Sequence, residues 1–317
     1  MSAPFFTVVI PVYNRASALG AALESALAQT EQDFEIVVVD DGSRDDPESA
    51  VARFADPRIR FVRQENKGGG AARNTGIDLA RGRFIAFLDS DDRFLPGHLA
   101  AMRKLLEGTR GTAGYARMIV DRGEGRRFLK PPRAIRPGEH MATYLLCDRG
   151  HIPTITLAVD REAAQTVRYD ETLPFGQDTD FAIRLFLSDI KFAMAEGPGA
   201  VWEDTFNPNR ASAGRKGARL ADWLENMRPC IPSRAYYGGR GWLIAKGVAP
   251  TDKVAALKLY LGAVVRGCYA PKLAATIFLQ IFCPDRMYRR IADGVIARLK
   301  GAVWSRAEQD APQTTAR

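Results

Sequence analysis

The sequence predicts an α/β protein with a mostly parallel central sheet and a helical C-terminal extension. Three observations lead there. Short, continuously apolar runs recur through the first third, at Phe6–Ile10, Phe34–Val39, Ile59–Val62 and Phe84–Leu88. Segments with helical spacing separate them, and acidic or hydroxyl-bearing turns follow several of them. Apolar on both faces, such strands suit a parallel sheet covered on each side by helices.

The elements follow in order. Phe6–Ile10 is rich in β-branched residues and is expected to stop at Pro11. Leu19, Leu23, Ala26 and Leu27 then recur at helical spacing. After Phe34–Val39 come a short helix at Pro47–Phe54, a strand at Ile59–Val62, a helix at Ala71–Ala80 and the buried strand Phe84–Leu88. Pro96–Glu107 reads as a helix. Arg122–Arg136, with six basic residues and Pro131-Pro132, reads as an exposed loop. Thr154–Val159 is expected to be a strand, and Gly176 to open a helix carrying Phe181, Ile183, Leu185 and Phe186. Lys191–Met194 and Ala200–Trp202 read as two short strands, and Asn207–Gly217 as a basic loop. From about Leu220 the chain reads as helical, most strongly at Val254–Val265, Leu273–Phe282 and Met287–Leu299, before a frayed tail at 307–317.

With 317 residues, 46% of them hydrophobic, the chain can bury a substantial core. No run is long and apolar enough to span a bilayer, and Met1–Phe6 lacks the pattern of a signal peptide. Cys147, Cys230, Cys268 and Cys283 show neither metal-ligand nor compact disulfide spacing, so reduced thiols and a cytoplasmic location are expected. The net charge of +8 is unevenly placed: residues 205–317 carry nineteen Lys/Arg against seven Asp/Glu. A polyanionic partner fits that region, as does an ordinary soluble basic surface. No nucleic-acid-binding module is recognisable, so nucleic acid is not expected as a partner. Leu273–Phe282, between Arg266/Lys272 and Arg286/Arg289/Arg290, suits either an interfacial helix on an anionic membrane or a helix packed on the protein.

In open α/β sheets ligands bind beyond the carboxyl ends of the strands. Tyr13-Asn14, Asp40-Asp41 and Asp89-Ser90-Asp91-Asp92 occupy three such ends. Each alone could be turn or capping chemistry; together they can gather carboxylates and hydroxyls at one rim. The Asp-x-Asp element behind a buried strand suits a hard divalent cation that also takes diphosphate oxygens.

The order of these elements resembles the family 2 glycosyltransferases, which have the GT-A fold. The resemblance rests on Val8–Asn14, Val37–Ser43, Gly70–Gly76 and Phe87–Asp92, with a looser match at Gln177–Phe181. It implies a catalytic domain over 1–219, with a nucleotide-sugar half (1–110) and an acceptor half (111–219), then a helical region over 220–306. It further implies that Pro11 and Tyr13 border the nucleotide and that Asp41 meets the base imide. Arg73 would lie near the base and diphosphate, and Ser90 and Asp89 near the ribose. Asp91 would hold Mn²⁺ or Mg²⁺. Asp178 would be the catalytic base, although the helix dipole also favours a carboxylate there. The implied reaction is inverting transfer from a nucleotide-sugar donor to a glycan or lipid-linked acceptor in bacterial polysaccharide or lipopolysaccharide assembly. Two departures stand out. Gln177 replaces a common Glu, and Asn209-Arg210-Ala211-Ser212 lacks a common His, leaving Arg210 or Arg215 as candidate diphosphate clamps.

Other classes fit less well. A nicotinamide dehydrogenase needs Gly-x-Gly-x-x-Gly after the first strand, where this chain has Pro11-Val12-Tyr13-Asn14. A sugar nucleotidyltransferase needs a Gly-rich phosphate loop there. A non-catalytic nucleotide-sugar-binding or scaffolding relative stays open on the two departures. Trp202, Tyr236, Tyr237 and Trp242 are expected in the core rather than as a sugar platform. His98 and His140 are expected to be packing or surface residues, and His151 lies near the acceptor side.

Overall fold

The computed structural model describes residues 3–204, 217–284 and 287–294. Its first part alternates as expected: β1 (Phe6–Val12), α1 (Ala16–Leu27), β2 (Phe34–Asp40), α2 (Pro47–Ala52), β3 (Ile59–Arg63), α3 (Gly69–Leu79) and β4 (Phe84–Phe87). These strands pair in parallel in the order β3-β2-β1-β4. β1 and β2 are buried along nearly their whole length, which is why their sequences run mainly apolar rather than alternating, with the buried Thr7 and Glu35 paired to each other. Pro11 does not end β1. It pairs with Val39 of β2, while the ladder to β4 stops at Val9–Phe87. Beyond Val9 the β4 side has no ladder, so a residue without an N–H is tolerated there, at the switch in strand order.

The second part adds β5 (Arg93–Phe94), α4 (His98–Leu106), β6 (Thr112–Asp121), β7 (Arg127–Lys130), α5 (Met141–Cys147), β8 (Ala158–Asp160), α6 (Arg161–Val167), α7 (Gln177–Leu187) and β9 (Lys191–Glu203). The nine strands form one mixed sheet, β3-β2-β1-β4-β8-β6-β9-β5, with β7 on β6. Its longest ladders, β1–β2 and β6–β9, are parallel. The contacts of β8 with β4 and β6, of β5 with β9 and of β7 with β6 are antiparallel and short.

Three expectations are corrected here. The basic stretch 122–136 is not an exposed loop but contains β7, hydrogen-bonded to β6 from Met118–Lys130 to Asp121–Arg127. Thr154–Thr156 is a 3₁₀ turn, and the strand begins only at Ala158. The two short strands expected at 191–202 are one, β9, whose Pro198 is accommodated at a register irregularity opposite Arg117.

The C-terminal region is helical: α8 (Gly217–Met227), α9 (Ser233–Gly239), α10 (Ala245–Val248), α11 (Lys253–Val265), α12 (Pro271–Phe282) and the helical segment 287–294. The remainder of the helix expected at Met287–Leu299 and the tail at 307–317 lie outside the described residues. One hydrophobic core joins Phe87, Tyr115 and Phe181 of the sheet layer to Trp223, Tyr236, Tyr260 and Ile277 of these helices. Each large side chain so buried contributes about 1.5–3 kcal/mol. Tyr236 is in this core, Tyr237 and Trp242 pack on it and Trp202 packs on the neighbouring one, so these aromatics are structural as expected. All four cysteines are unpaired. Among the described residues no helix is long and apolar enough to cross a membrane.

His98 opens α4 as a fully buried, neutral imidazole. Neither ring nitrogen has a hydrogen-bond partner, and its ring lies 4.6 Å from that of Phe94. A Cβ at residue 199 would come within 2.3 Å of Nδ1, so Gly199 makes the space. Burial pushes this histidine down to about 3. The unfolded chain therefore binds a proton that the folded one refuses, and stability falls as the pH drops from about 6.5 towards 3. By about pH 4.5 the loss is expected to reach roughly 3 kcal/mol. Urea unfolding of His98→Leu at neutral and acid pH should show a correspondingly flatter profile.

Candidate active site

The ends of β1 and β2 are sewn together. Asn14, with φ of 51°, receives Ser43 as partner for its N–H at 2.9 Å, and its own Oδ1 accepts from Arg44 N at 2.9 Å. Tyr13 is left with an exposed ring above the half-buried Pro11. Asp41 is buried, and its carboxylate organises the segment leading into α3. Oδ1 accepts from Gln64 Nε2 at 2.8 Å and Lys67 N at 2.9 Å, and Oδ2 from Gly68 N at 2.8 Å. Gly68 is the residue that precedes α3.

From α3, Arg73 reaches across the rim. Its guanidinium donates to Asp89 Oδ1 at 2.5 Å and to Gln177 Oε1 at 3.1 Å, and lies 5.4 Å from the centre of the Tyr169 ring. Burial alone would lower its pKa; the charges of Asp89 and Asp178 outweigh that and hold the arginine above its ordinary value. The next residue, Asn74, donates to Tyr169 O and Glu171 Oε1 and accepts from Tyr169 N, fixing the 169–171 segment beneath Arg73. Gly70 lets α3 and α7 approach: a Cβ there would stand 2.7 Å from Gln177 Nε2.

The Asp89–Asp92 turn follows β4. Asp89 pairs with Arg73, Ser90 is buried, and Asp91 forms an ion pair with Arg15, just before α1. Asp92 is buried and accepts from Glu203 N at 3.1 Å. Its burial, together with the neighbouring charges of Asp89 and Asp91, pushes its pKa well above the carboxylate range. Among the described residues there is no cluster of three or more His, Cys, Asp or Glu able to enclose a metal. A partly exposed Asp91 with Asp89 two residues away instead suits a cation that keeps several waters and completes its shell with substrate phosphates, as Mg²⁺ does.

Asp178 sits in the first turn of α7. Its Oδ1 accepts from Thr179 N at 2.8 Å, and its Oδ2 lies 4.0 Å from His151 Nδ1. Desolvation holds His151 below its ordinary value, against the pull of Asp178 and with the help of Lys130. Asp180, two residues on, is different: it is buried, pairs with Arg184 and accepts from Trp223 Nε1 at 2.9 Å, anchoring α8 to α7. Of these two acids only Asp180 is buried in the packing; Asp178 stays partly exposed beside His151.

Direct contacts thus join Asp41, through residues 67–68 and α3, to Arg73, Asp89 and Gln177, and Asp178 follows Gln177 in the chain. Arg210 and Arg215 lie outside the described residues. Sequence reasoning missed Arg15, Tyr169 and Lys130. The Lys130 ammonium on β7 lies 5.3 Å from the Trp202 ring centre and 5.9 Å from that of Phe128. Burial, opposed by Asp204 and Asp178, lowers its pKa to about 8.

Gln177 has its own fixed geometry, accepting from Arg73 and donating through Nε2 to Leu173 O at 2.6 Å. It therefore turns towards Arg73 and tethers the first turn of α7. Removing this tether in Gln177→Ala is expected to lower kcat roughly tenfold, since small misplacements of a reacting group are costly. Gln177→Glu keeps an acceptor for Arg73 and should recover most of that loss. Equal defects in the two variants would show that the Arg73 contact does not position Asp178.

A strand-end rim of this kind on a mixed α/β sheet defines a nucleotide-binding fold of the GT-A type. The profile described as glycosyl transferase family 2 matches residues 7–168. The chain belongs to glycosyltransferase family 2. It is 32% identical over 245 residues to the amylovoran biosynthesis glycosyltransferase AmsB of Erwinia amylovora, covering 73% of this chain and 80% of that one. It is 46% identical over 119 residues to the succinoglycan biosynthesis protein ExoO of Rhizobium meliloti, covering 37% of this chain and 33% of that one. Among solved structures, S. aureus TarS 1–349 in complex with UDP-GlcNAc superposes with a TM-score of 0.60 at 17% identity, covering 95% of this chain and 92% of TarS. The mannosyltransferase PcManGT of Pyrobaculum calidifontis, in complex with GDP-Man and Mn²⁺, gives 0.51 at 20% identity, covering 96% and 88%.

Proposed function

We propose that this glycosyltransferase moves one sugar from a nucleotide-diphosphate sugar, with UDP as the favoured nucleotide, to an acceptor hydroxyl with inversion at the anomeric carbon. The observation that carries the reading is the Arg73 bridge. One guanidinium contacts Asp89 on the donor side and Gln177, beside Asp178, on the other. In this reading Pro11 and Tyr13 border the base and Asp41 accepts from its imide while holding residues 64–68. Ser90 and Asp89 face the ribose, and Arg73 lies by the base and diphosphate. Arg210 or Arg215 would add a clamp on the diphosphate.

Asp91 would hold Mn²⁺ or Mg²⁺, which when bound neutralises charge on the leaving diphosphate. Asp178 takes the proton of the acceptor hydroxyl as that oxygen attacks the anomeric carbon. The bond from sugar to phosphate oxygen breaks, its electron pair leaves with the nucleoside diphosphate, and the single displacement inverts the centre. In this reading residues 1–110 serve the donor and 111–219 the acceptor, and the described residues beyond 220 are mainly helical.

The names of AmsB and ExoO support a place in bacterial polysaccharide assembly. Within this reading the setting is polysaccharide or lipopolysaccharide assembly, and the acceptor is a glycan or lipid-linked glycan, met at an anionic membrane surface on its cytoplasmic side. The test is a screen of nucleotide-sugars for Mn²⁺- or Mg²⁺-dependent release of nucleoside diphosphate in the presence of an acceptor panel. Nucleoside triphosphate formed on adding pyrophosphate would instead identify a nucleotidyltransferase, and donor binding without turnover a non-catalytic relative.

A further inference from the structure

Seven of the nine large hydrophobic side chains that stand exposed on the described surface lie between residues 254 and 291. Four of them, Val254, Leu257, Leu261 and Val265, fall on one face of α11 at steps of three and four residues, and Val254 and Val265 are 63% and 85% exposed. Ala256, Tyr260 and Ala263 occupy the opposite face and are buried in the core. Helix α11 is therefore apolar on both sides, as a fully enclosed helix would be, yet none of the described residues covers one side. Phe278 of α12 is exposed as well and packs beside α11, its ring 5.6 Å from that of Tyr260. By contrast Leu273, Ala274, Ile277 and Ile281, the apolar stripe of α12, are buried. The helix at 273–282 is thus mainly a packed helix, and the unpaired apolar face belongs to α11.

The charge around this face is mostly of one sign. Residues 253–284 contain no Asp or Glu, while Lys253, Lys258, Arg266 and Lys272 are exposed along them; the carboxylate of Asp252, at the start of α11, is engaged in capping the helix through Ala255 N. A protein partner or a second copy would have to meet an apolar ridge bordered mainly by cations. A second copy would bring the same cations against it. A bilayer with anionic headgroups supplies apolar depth for the ridge and negative charge for its borders.

We infer that the outward face of α11, with Phe278 beside it, lies in the interfacial layer of an anionic lipid surface. This specifies the membrane partner in the functional reading above, but its test does not require that reading to hold. The full chain is sedimented with phosphatidylcholine vesicles, with and without phosphatidylglycerol, at low and high salt. Binding is expected only to the anionic vesicles, weaker at high salt. Leu261→Asp is expected to reduce it at least tenfold, and Lys258→Glu roughly fivefold or more. Because both side chains are exposed, melting temperatures should stay unchanged, which separates lost docking from lost folding. Donor turnover with a soluble acceptor should also persist in both variants. Failure of the full chain to bind anionic vesicles at low salt overturns the inference, as does equal binding by wild type and Leu261→Asp. A dimer in ultracentrifugation that Leu261→Asp dissociates, without vesicle binding by either, would assign the face to self-association instead.

Discussion

Asp178→Asn is expected to lose transfer by at least a hundredfold in kcat while binding nucleoside diphosphate within about threefold of wild type. The asparagine has nearly the same shape, and its Oδ1 can still accept from Thr179 N, so the first turn of α7 keeps its local bond. What disappears is a basic oxygen able to accept the acceptor's proton. Positioned general bases contribute about 10²–10⁴-fold, which sets the size of the effect. Donor affinity should survive because Arg73 retains both Asp89 and Gln177 when the more distant charge of Asp178 is removed. Calorimetric titration with UDP, alongside steady-state rates on a turning-over donor and acceptor, separates the two quantities. A variant that transfers at the wild-type rate would remove Asp178 from the chemistry and leave His151, 4.0 Å away, as the next group to examine.

The N-terminal half of the sheet could be read from sequence for a physical reason. Its strands are buried on both faces, so Val8-Val9-Ile10 and Val37-Val38-Val39 announce themselves as apolar runs, and the strand-end rule then points at Tyr13, Asp41 and Asp89. The part of the sheet built by β6 to β9 lacks that signal. β9 contains Glu196-Gly197-Pro198-Gly199, which looks like a turn and is kept in the sheet by an irregular register with β6. β7 is polar because it lies on one edge of β6, so its basic composition resembled a loop. The site shows the same division. Arg73 and Asp178 came from motif resemblance; that Asp178 stays partly exposed while Asp180 anchors Trp223 depends on helix phase and a partner 43 residues away. Lys130 could not be foreseen, because a hairpin and a distant strand place it between Phe128 and Trp202.

For Asp91→Ala, the expected result is loss of the metal's contribution to donor affinity, and the sign in the absence of metal is the informative part. In the wild type Asp91 is paired with Arg15, and Asp89 stands two residues away. An incoming diphosphate meets these carboxylates as like charges unless a cation lies between them. Mn²⁺ should therefore tighten UDP binding to the wild type by at least roughly tenfold, about 1.4 kcal/mol, and tighten binding to the variant little. Without metal the order should reverse. Asp91→Ala removes one repelling charge and releases Arg15 towards the diphosphate, so the variant should bind UDP as well as the wild type or better. Asp91→Asn, which keeps the size of the side chain, should behave the same way if charge is the cause. A purely structural role for Asp91 predicts something else: weaker binding with and without metal, accompanied by a lower melting temperature as α1 loses its tie to the turn after β4. Binding curves that respond to Mn²⁺ equally in all three proteins would take the cation away from Asp91.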